Sequence, residues 1–271
     1  MIVQTAPDGA PHLVIQQSDH ARLSGQFATA FGNNSFASLM PREPLLFVAA
    51  HHDEGWTAVD ARLEQDVNTG LPYHLTQTPL PFLVETSAGS PAFNEAHHPY
   101  SGLLSSMHSY GLFNGRYGLS DKIFIELIPE QDKLPVKSML RAELDRQERL
   151  LNALHKDDDL ALWINEAHLF HNYKLLQFFD TLALYFQMDH PEARTSTEFL
   201  NVPQAVGKDV TIRIDPVDQE TYTLAPYPFF EDIMTFHYVG RLMWPQPMGT
   251  DLHTLWEEIE PQQEFIRLIR V

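Results

Sequence analysis

The sequence predicts a mainly α-helical fold, a helical bundle with short β-strands contributed by its N- and C-terminal segments. Three observations carry that expectation. Apolar residues recur at helical spacing through the middle of the chain, between Pro99 and Met188. Two-residue alternation is confined to the ends, and no internal repeat divides the chain. With 271 residues and 44% apolar content, the chain suffices for one domain with a substantial core. Residues 1–200 are expected to form a β-hairpin plus a helical core, with 201–271 a β-rich extension packed on it.

The elements follow in order. Ile2-Val3-Gln4-Thr5 and His12-Leu13-Val14-Ile15 flank the turn-forming Pro7-Asp8-Gly9 and read as a hairpin. Ser18 or Asp19 then offers a short oxygen side chain to cap a helix through Phe31, placing His20 in its first turn. A second helix is predicted over Pro44 to Asp53, ended by Gly55. From Trp56 to Ala96, Pro, Thr, Asn and Gly predict little regular structure and a lid over whatever precedes it. A helix from Pro99 to Phe113 carries His108, with Pro99 acceptable at its first position. Leu140, Leu144, Leu151 and Leu154 mark an exposed amphipathic helix over Pro135 to Lys156. Asp157-Asp158-Asp159 breaks it as a solvated turn, and a long apolar helix runs from Leu160 to Met188. Val210 to Ile214 and Thr221 to Leu224 alternate across Asp215-Pro216-Val217-Asp218 as a hairpin, and Met234 to Leu242 and Glu264 to Val271 favour strands.

Composition excludes several function classes. Thirty-six acidic against 18 basic residues give a formal charge of −18, which repels phosphate backbones and anionic membrane surfaces. Nucleic acid and membrane are therefore not expected partners; a small-molecule substrate is. The chain has no cysteine, which removes disulfides, iron–sulfur clusters and thiol catalysis. No stretch approaches the roughly 18 apolar residues of a membrane span, and a soluble, cytoplasmic protein is expected. A Gly-rich phosphate loop, a nucleophile elbow and a dinucleotide fingerprint are all missing.

What remains is His51-His52-Asp53-Glu54-Gly55-Trp56, where an apolar run delivers a His-Asp doublet into a glycine. A carboxylate at the end of a buried segment requires a partner or an ion. His20, His52, Asp53 and Asp180 each fall on a predicted helix or its end. Mixed imidazole and carboxylate ligation suits Mn, Fe, Co, Ni or Mg, or zinc without thiolates. Ligands from distant helices are what a bundle-centred ion needs. Asp180 lies among Phe178, Phe179, Leu182 and Leu184, where a carboxylate is costly to desolvate unpaired; without an ion, its partner would be Lys174 or an arginine elsewhere. His51 is read as a neighbour of the site, because adjacent imidazoles cannot both point inward.

The order His20, His52-Asp53 with Gly55, then Asp180 within Leu175-Leu176-Gln177-Phe178-Phe179-Asp180 resembles the HD-domain superfamily of metal-dependent phosphohydrolases and related di-iron oxygenases. His52 to Trp56, Thr69-Gly70-Leu71-Pro72 and the Leu103-to-His108 helix look like an uncharacterised bacterial family within it. The resemblance covers roughly residues 1 to 230. It implies that His20, His52, Asp53 and Asp180 bind a first metal, and that His108, with His97 or His98, binds a second or contacts substrate. Trp56 stands where many such enzymes carry lysine, and His98 lies about 15 Å along the helix from His108.

The expected chemistry is hydrolysis of a small phosphorylated metabolite or nucleotide by metal-activated water, with Asp53 orienting the water and His108 serving the leaving oxygen. Trp56 and Tyr73 are expected to line the substrate pocket. The alternatives are oxidation of a small polar substrate at a di-iron site, or a non-catalytic metal- or ligand-sensing domain.

Overall fold

The computed structural model describes all 271 residues. Strands β1 (Ile2–Val3) and β2 (His12–Ile15) pair antiparallel, with Ile2 opposite Ile15. Helix α1 (Gln17–Ala30) follows at once. Neither Ser18 nor Asp19 caps it. The first free amide, Gln17 N, instead donates to Asp60 Oδ2 at 2.7 Å, so a carboxylate from a later element does the work of a cap. Asp60 belongs to the short helix α3 (Thr57–Asp60), and its other oxygen accepts from the Met1 ammonium at 2.8 Å.

Helix α2 (Arg42–His51) packs on α1. The two can approach because Gly25 faces Ala50: a Cβ on Gly25 would stand 2.6 Å from the Ala50 Cβ. The stretch from Trp56 to Ala96, expected to have little regular structure, contains most of helix α4 (Leu80–His97). Pro81 lies in its first turn, where no amide is needed, and Pro91 lies inside it. Those prolines and Gly89 conceal the helix from any propensity reading. It packs on α5 (Pro99–Phe113), which was expected. The short α6 (Phe124–Leu127) and the long amphipathic α7 (Lys133–Leu154) lead to α8 (Glu166–Met188), which starts later than Leu160 because Asn165 caps it by accepting from His168 N.

The remaining strands are β3 (Thr197–Ala205), β4 (Lys208–Pro216), β5 (Thr221–Ala225), β6 (Ile233–Met243) and β7 (Gln262–Arg270), with helix α9 (Leu252–Glu258) between the last two. They join β1 and β2 in one seven-stranded sheet of order β1-β2-β6-β7-β5-β4-β3. All pairs are antiparallel except β5 with β7. The N-terminal hairpin and the C-terminal third are therefore one layer.

This corrects the mainly α fold class. Helices make up 49% of the residues, and the sheet they cover is curled and mixed rather than a fringe on an all-α bundle. Its inner face alternates as the strand period demands: Phe236 and Tyr238 on β6 and Ile266 and Leu268 on β7 are buried, while His237, Phe265 and Arg267 face outward. Phe27 of α1 is the centre of the helix–sheet core, against Phe236, Phe229 and Phe186 with ring centroids 4.7–6.2 Å apart. No helix is long and apolar enough to cross a membrane.

Candidate metal centre

Four helices converge above the sheet, and each brings one polar group into a buried space. His20 comes from α1, His52 from the residue that ends α2, His108 from the middle of α5 and Asp180 from the middle of α8. Their exposures are 1%, 0%, 3% and 4%. Asp53 follows His52 as the chain leaves the helix (φ −108°, ψ 20°), and that break turns its side chain toward the same space. The turn after it is held by Gly55, whose amide donates to Ser90 Oγ of α4 at 3.0 Å. A Cβ at Gly55 would fall 2.5 Å from Ser90 N, so only glycine lets α4 lie this close.

The distances are those of one small cluster. His20 Nε2 is 3.1 Å from Asp180 Oδ1 and 3.9 Å from Asp53 Oδ2; His52 Nε2 is 3.6 Å from Asp53 Oδ2 and 3.8 Å from Asp180 Oδ1. Ligand bonds of about 2.0–2.2 Å to a common ion separate neighbouring donors by roughly 3–3.6 Å. The geometry therefore fits a divalent cation.

Proton positions support the fit. Nδ1 of His20 donates to Gln187 Oε1 at 2.7 Å, and Nδ1 of His52 donates to the Ala49 carbonyl at 3.0 Å. His52 then presents an Nε2 lone pair to the cluster, the arrangement by which a second hydrogen bond orients a ligating imidazole, whereas His20 Nε2 faces Asp180 Oδ1 at 3.1 Å and would give up any proton it donates there on binding an ion. His52 Nε2 is buried and has no partner within the protein. An orphan acceptor aimed at two carboxylates is what a cation satisfies. In His20 burial opposes the charged form, but its hydrogen bond to Asp180 and the nearby carboxylates outweigh that and raise its pKa. Burial likewise opposes ionisation of Asp180, yet the His20 hydrogen bond and neighbouring imidazoles hold its carboxyl far below the usual range. Burial pushes Asp53 up.

His108 is held differently. Gln177 Nε2 donates to its Nδ1 at 2.7 Å, which leaves the ring proton on Nε2. Burial drives its pKa down to about 3, so the ring is neutral. One of its nitrogens lies within 4.8 Å of the donor atoms of His52 and Asp180.

Other expected residues lie elsewhere. His98 caps α5, its Nδ1 accepting from Tyr100 N at 3.0 Å. His97 stacks on Phe47. His51 turns away to Glu54, with Nδ1 2.9 Å from Oε2. Lys174 pairs with Asp209 instead of Asp180. Tyr73 lines a small cavity beside Met1 and Asp60, whereas Trp56 lines a cavity of about 590 Å³ that adjoins the cluster through Asp53 and His108.

Sequence reasoning missed three participants. Gln177 and Gln187, polar residues in the apolar run of α8, share a face with Asp180 at spacings of three and seven, and that spacing was the available signal. The third is Arg116, whose Nη2 is 3.9 Å from Asp180 Oδ2. The glycines at 115 and 118 that flank it were its signal.

No curated protein and no solved structure matches the chain. The HD-domain resemblance is corrected, since helices laid on a curled seven-stranded sheet are not a clear HD helical bundle. A His-Asp doublet with spaced ligands is short enough to arise on more than one architecture. The family model that does match covers residues 1–244 and is described as "Protein of unknown function (DUF3891)", and the chain belongs to that family.

Proposed function

We propose that the chain is a cytoplasmic, divalent-metal-dependent hydrolase of a small phosphorylated substrate, with His20, His52, Asp53 and Asp180 as metal ligands. The observation that carries the reading is the buried, unpartnered Nε2 of His52, aimed with His20 Nε2 at two carboxylates. The family's description assigns no activity, so the reading rests on the site alone.

A divalent ion held there would supply a Lewis acid and lower the pKa of coordinated water. The chain's own residues supply the rest. Asp53 is the most exposed member of the cluster and lines the cavity, so in this reading its second oxygen would orient a nucleophilic water. His108 lines the same cavity as a neutral ring and can donate a hydrogen bond to a substrate oxygen. Trp56, with Leu83 and Leu112, gives the cavity apolar lining.

The test is elemental analysis of purified protein at known concentration, followed by phosphate release from a panel of phosphomonoesters with Mn²⁺, Co²⁺ or Ni²⁺. Stoichiometric metal and turnover, both lost in His52→Ala and Asp53→Ala while the far-UV spectrum persists, are expected. Metal retained at full stoichiometry in both variants overturns the ligand assignment. Metal without turnover, or with oxygen uptake after Fe²⁺ loading, overturns hydrolysis.

A further inference from the structure

The cavity that adjoins the cluster is lined by groups of two kinds. Near the cluster it is walled by Asp53, His108 and Arg116, with Lys122 at the rim. It is also lined by Leu112, Phe124 and Leu127, which are 38%, 36% and 76% exposed. A polar pocket opening onto uncovered apolar side chains fits a ligand with a charged head and an apolar remainder.

The two cations are unusual for this chain, whose formal charge is −18. Lys122 makes no ion pair, and Arg116 has Asp180 alone, at 3.9 Å, beyond hydrogen-bond distance. The Arg116 guanidinium donates no hydrogen bond to the protein, so its planar fork of N–H groups is free to take an oxyanion.

Its backbone shows that this placement is imposed. Gly115, Arg116, Tyr117 and Gly118 all have positive φ (63°, 50°, 57° and 87°), a single left-handed turn containing two residues with a Cβ. Such residues avoid that conformation unless the surroundings enforce it, and enforced outliers gather at ligand sites. Here the turn is closed by Ser120 N donating to Gly115 O at 3.0 Å, and the Tyr117 ring rests on Tyr110 and Tyr173.

Charge selects the head group. The carboxylates of Asp53 and Asp180 balance one divalent ion, which leaves Arg116 and Lys122 facing a dianion. We propose that Arg116, assisted by Lys122, receives the phosphate dianion of an amphipathic phosphomonoester whose alkyl or aryl group lies on Leu112, Phe124 and Leu127. This rests on the metal-site reading for its charge balance, but the Arg116 contact and the apolar slot do not require the ion.

The test is calorimetric binding of hexylphosphonate, methylphosphonate and hexanoate to the full chain, Mn²⁺-loaded and metal-free, with metal content measured in parallel. A buried methylene contributes about fourfold in affinity. Hexylphosphonate is therefore expected to bind at least tenfold more tightly than methylphosphonate, and more tightly than hexanoate. Arg116→Leu is expected to remove at least tenfold of the phosphonate affinity at unchanged metal content. Leu127→Ser, at a site exposed enough to spare the fold, is expected to reduce the hexyl-over-methyl preference alone. Equal binding of hexanoate overturns the dianion, and equal binding of methylphosphonate overturns the apolar slot. Undiminished phosphonate affinity in both Arg116→Leu and the exposed Lys122→Ala overturns the anion site. Absence of bound metal would count against the metal centre, whereas Arg116-dependent phosphonate binding to that metal-free protein would still support this site.

Discussion

His20 and Asp180 lie 160 residues apart in the chain, and in the fold Nε2 of the one stands 3.1 Å from Oδ1 of the other with both side chains buried. What orients His20 is Gln187, two turns beyond Asp180 on α8, whose Oε1 accepts the Nδ1 proton at 2.7 Å. One helix thus carries one proposed ligand, Asp180, and the hydrogen-bond partner of another, His20. Removing such a hydrogen bond typically costs 10- to 100-fold in metal affinity.

Gln187→Leu keeps the volume and deletes the acceptor. The expected result is an Mn²⁺ affinity lowered about 10- to 100-fold, read by competition with a chromophoric chelator. Stability should fall by about 1–3 kcal/mol, because the His20 N–H is left buried and unpaired. Unchanged affinity would remove His20 from the ligand set.

If the orphan Nε2 of His52 ligates a cation as proposed, the stability of the folded state depends on that ion. An ion that binds the native chain at a hundredfold excess over its Kd stabilises it by about 2.7 kcal/mol. For a chain of 271 residues this raises Tm by roughly 5–10 °C. Scanning calorimetry with and without chelator should show that difference in the wild type and none in His52→Ala. A chelator-insensitive Tm in metal-saturated wild type counts against the centre.

That His20, His52, Asp53 and Asp180 gather in one place was legible because their chemistry is costly to bury singly. A carboxylate at 180 amid phenylalanines and leucines, and a His-Asp doublet closing an apolar run, have few inexpensive explanations. The sheet was less legible. β3 hides because Asn201 takes a left-handed φ of 57° and the register with β4 shifts on either side of Val202, so its alternation is broken where a reader would look for it. α4 hides behind Pro91 and Gly89. The joining of the first two strands to β6 is a contact across more than 200 residues, which no local pattern encodes. Arg116 carries no periodic signal, since its role depends on a turn conformation rather than on its neighbours' polarity.

Gly55→Ala tests how the doublet is aimed. The added methyl would meet the Thr86 carbonyl and Ser90 N of α4, which are backbone atoms that cannot rotate aside. Overpacking of this kind costs about 1–3 kcal/mol, and relief requires moving either α4 or residues 53–55. Urea unfolding should therefore show that loss, and metal affinity should fall with it because Asp53 shifts. Loss of stability with native metal affinity would mean that α4 alone yields.

Acid stability offers a check at two histidines outside the proposed metal centre. Burial, with the Met1 ammonium adding to it, lowers the pKa of His74 to about 4, and its Nδ1 accepts from Val3 N at 2.9 Å. Burial, with Lys174 adding to it, lowers His171 to about 4 as well. Both rings titrate near 6.5 when unfolded, so between about pH 6.5 and 4 the unfolded chain binds more protons than the native one. Their contribution is complete above the unfolded value and is lost as pH falls toward 4. Urea midpoints measured in chelator from pH 7.5 to 4.5 should decline through that window. Combining His74→Gln with His171→Leu should make the decline shallower, since neither replacement takes up a proton, and leave the share of His108; an unaltered slope would assign the acid sensitivity to groups other than these two rings.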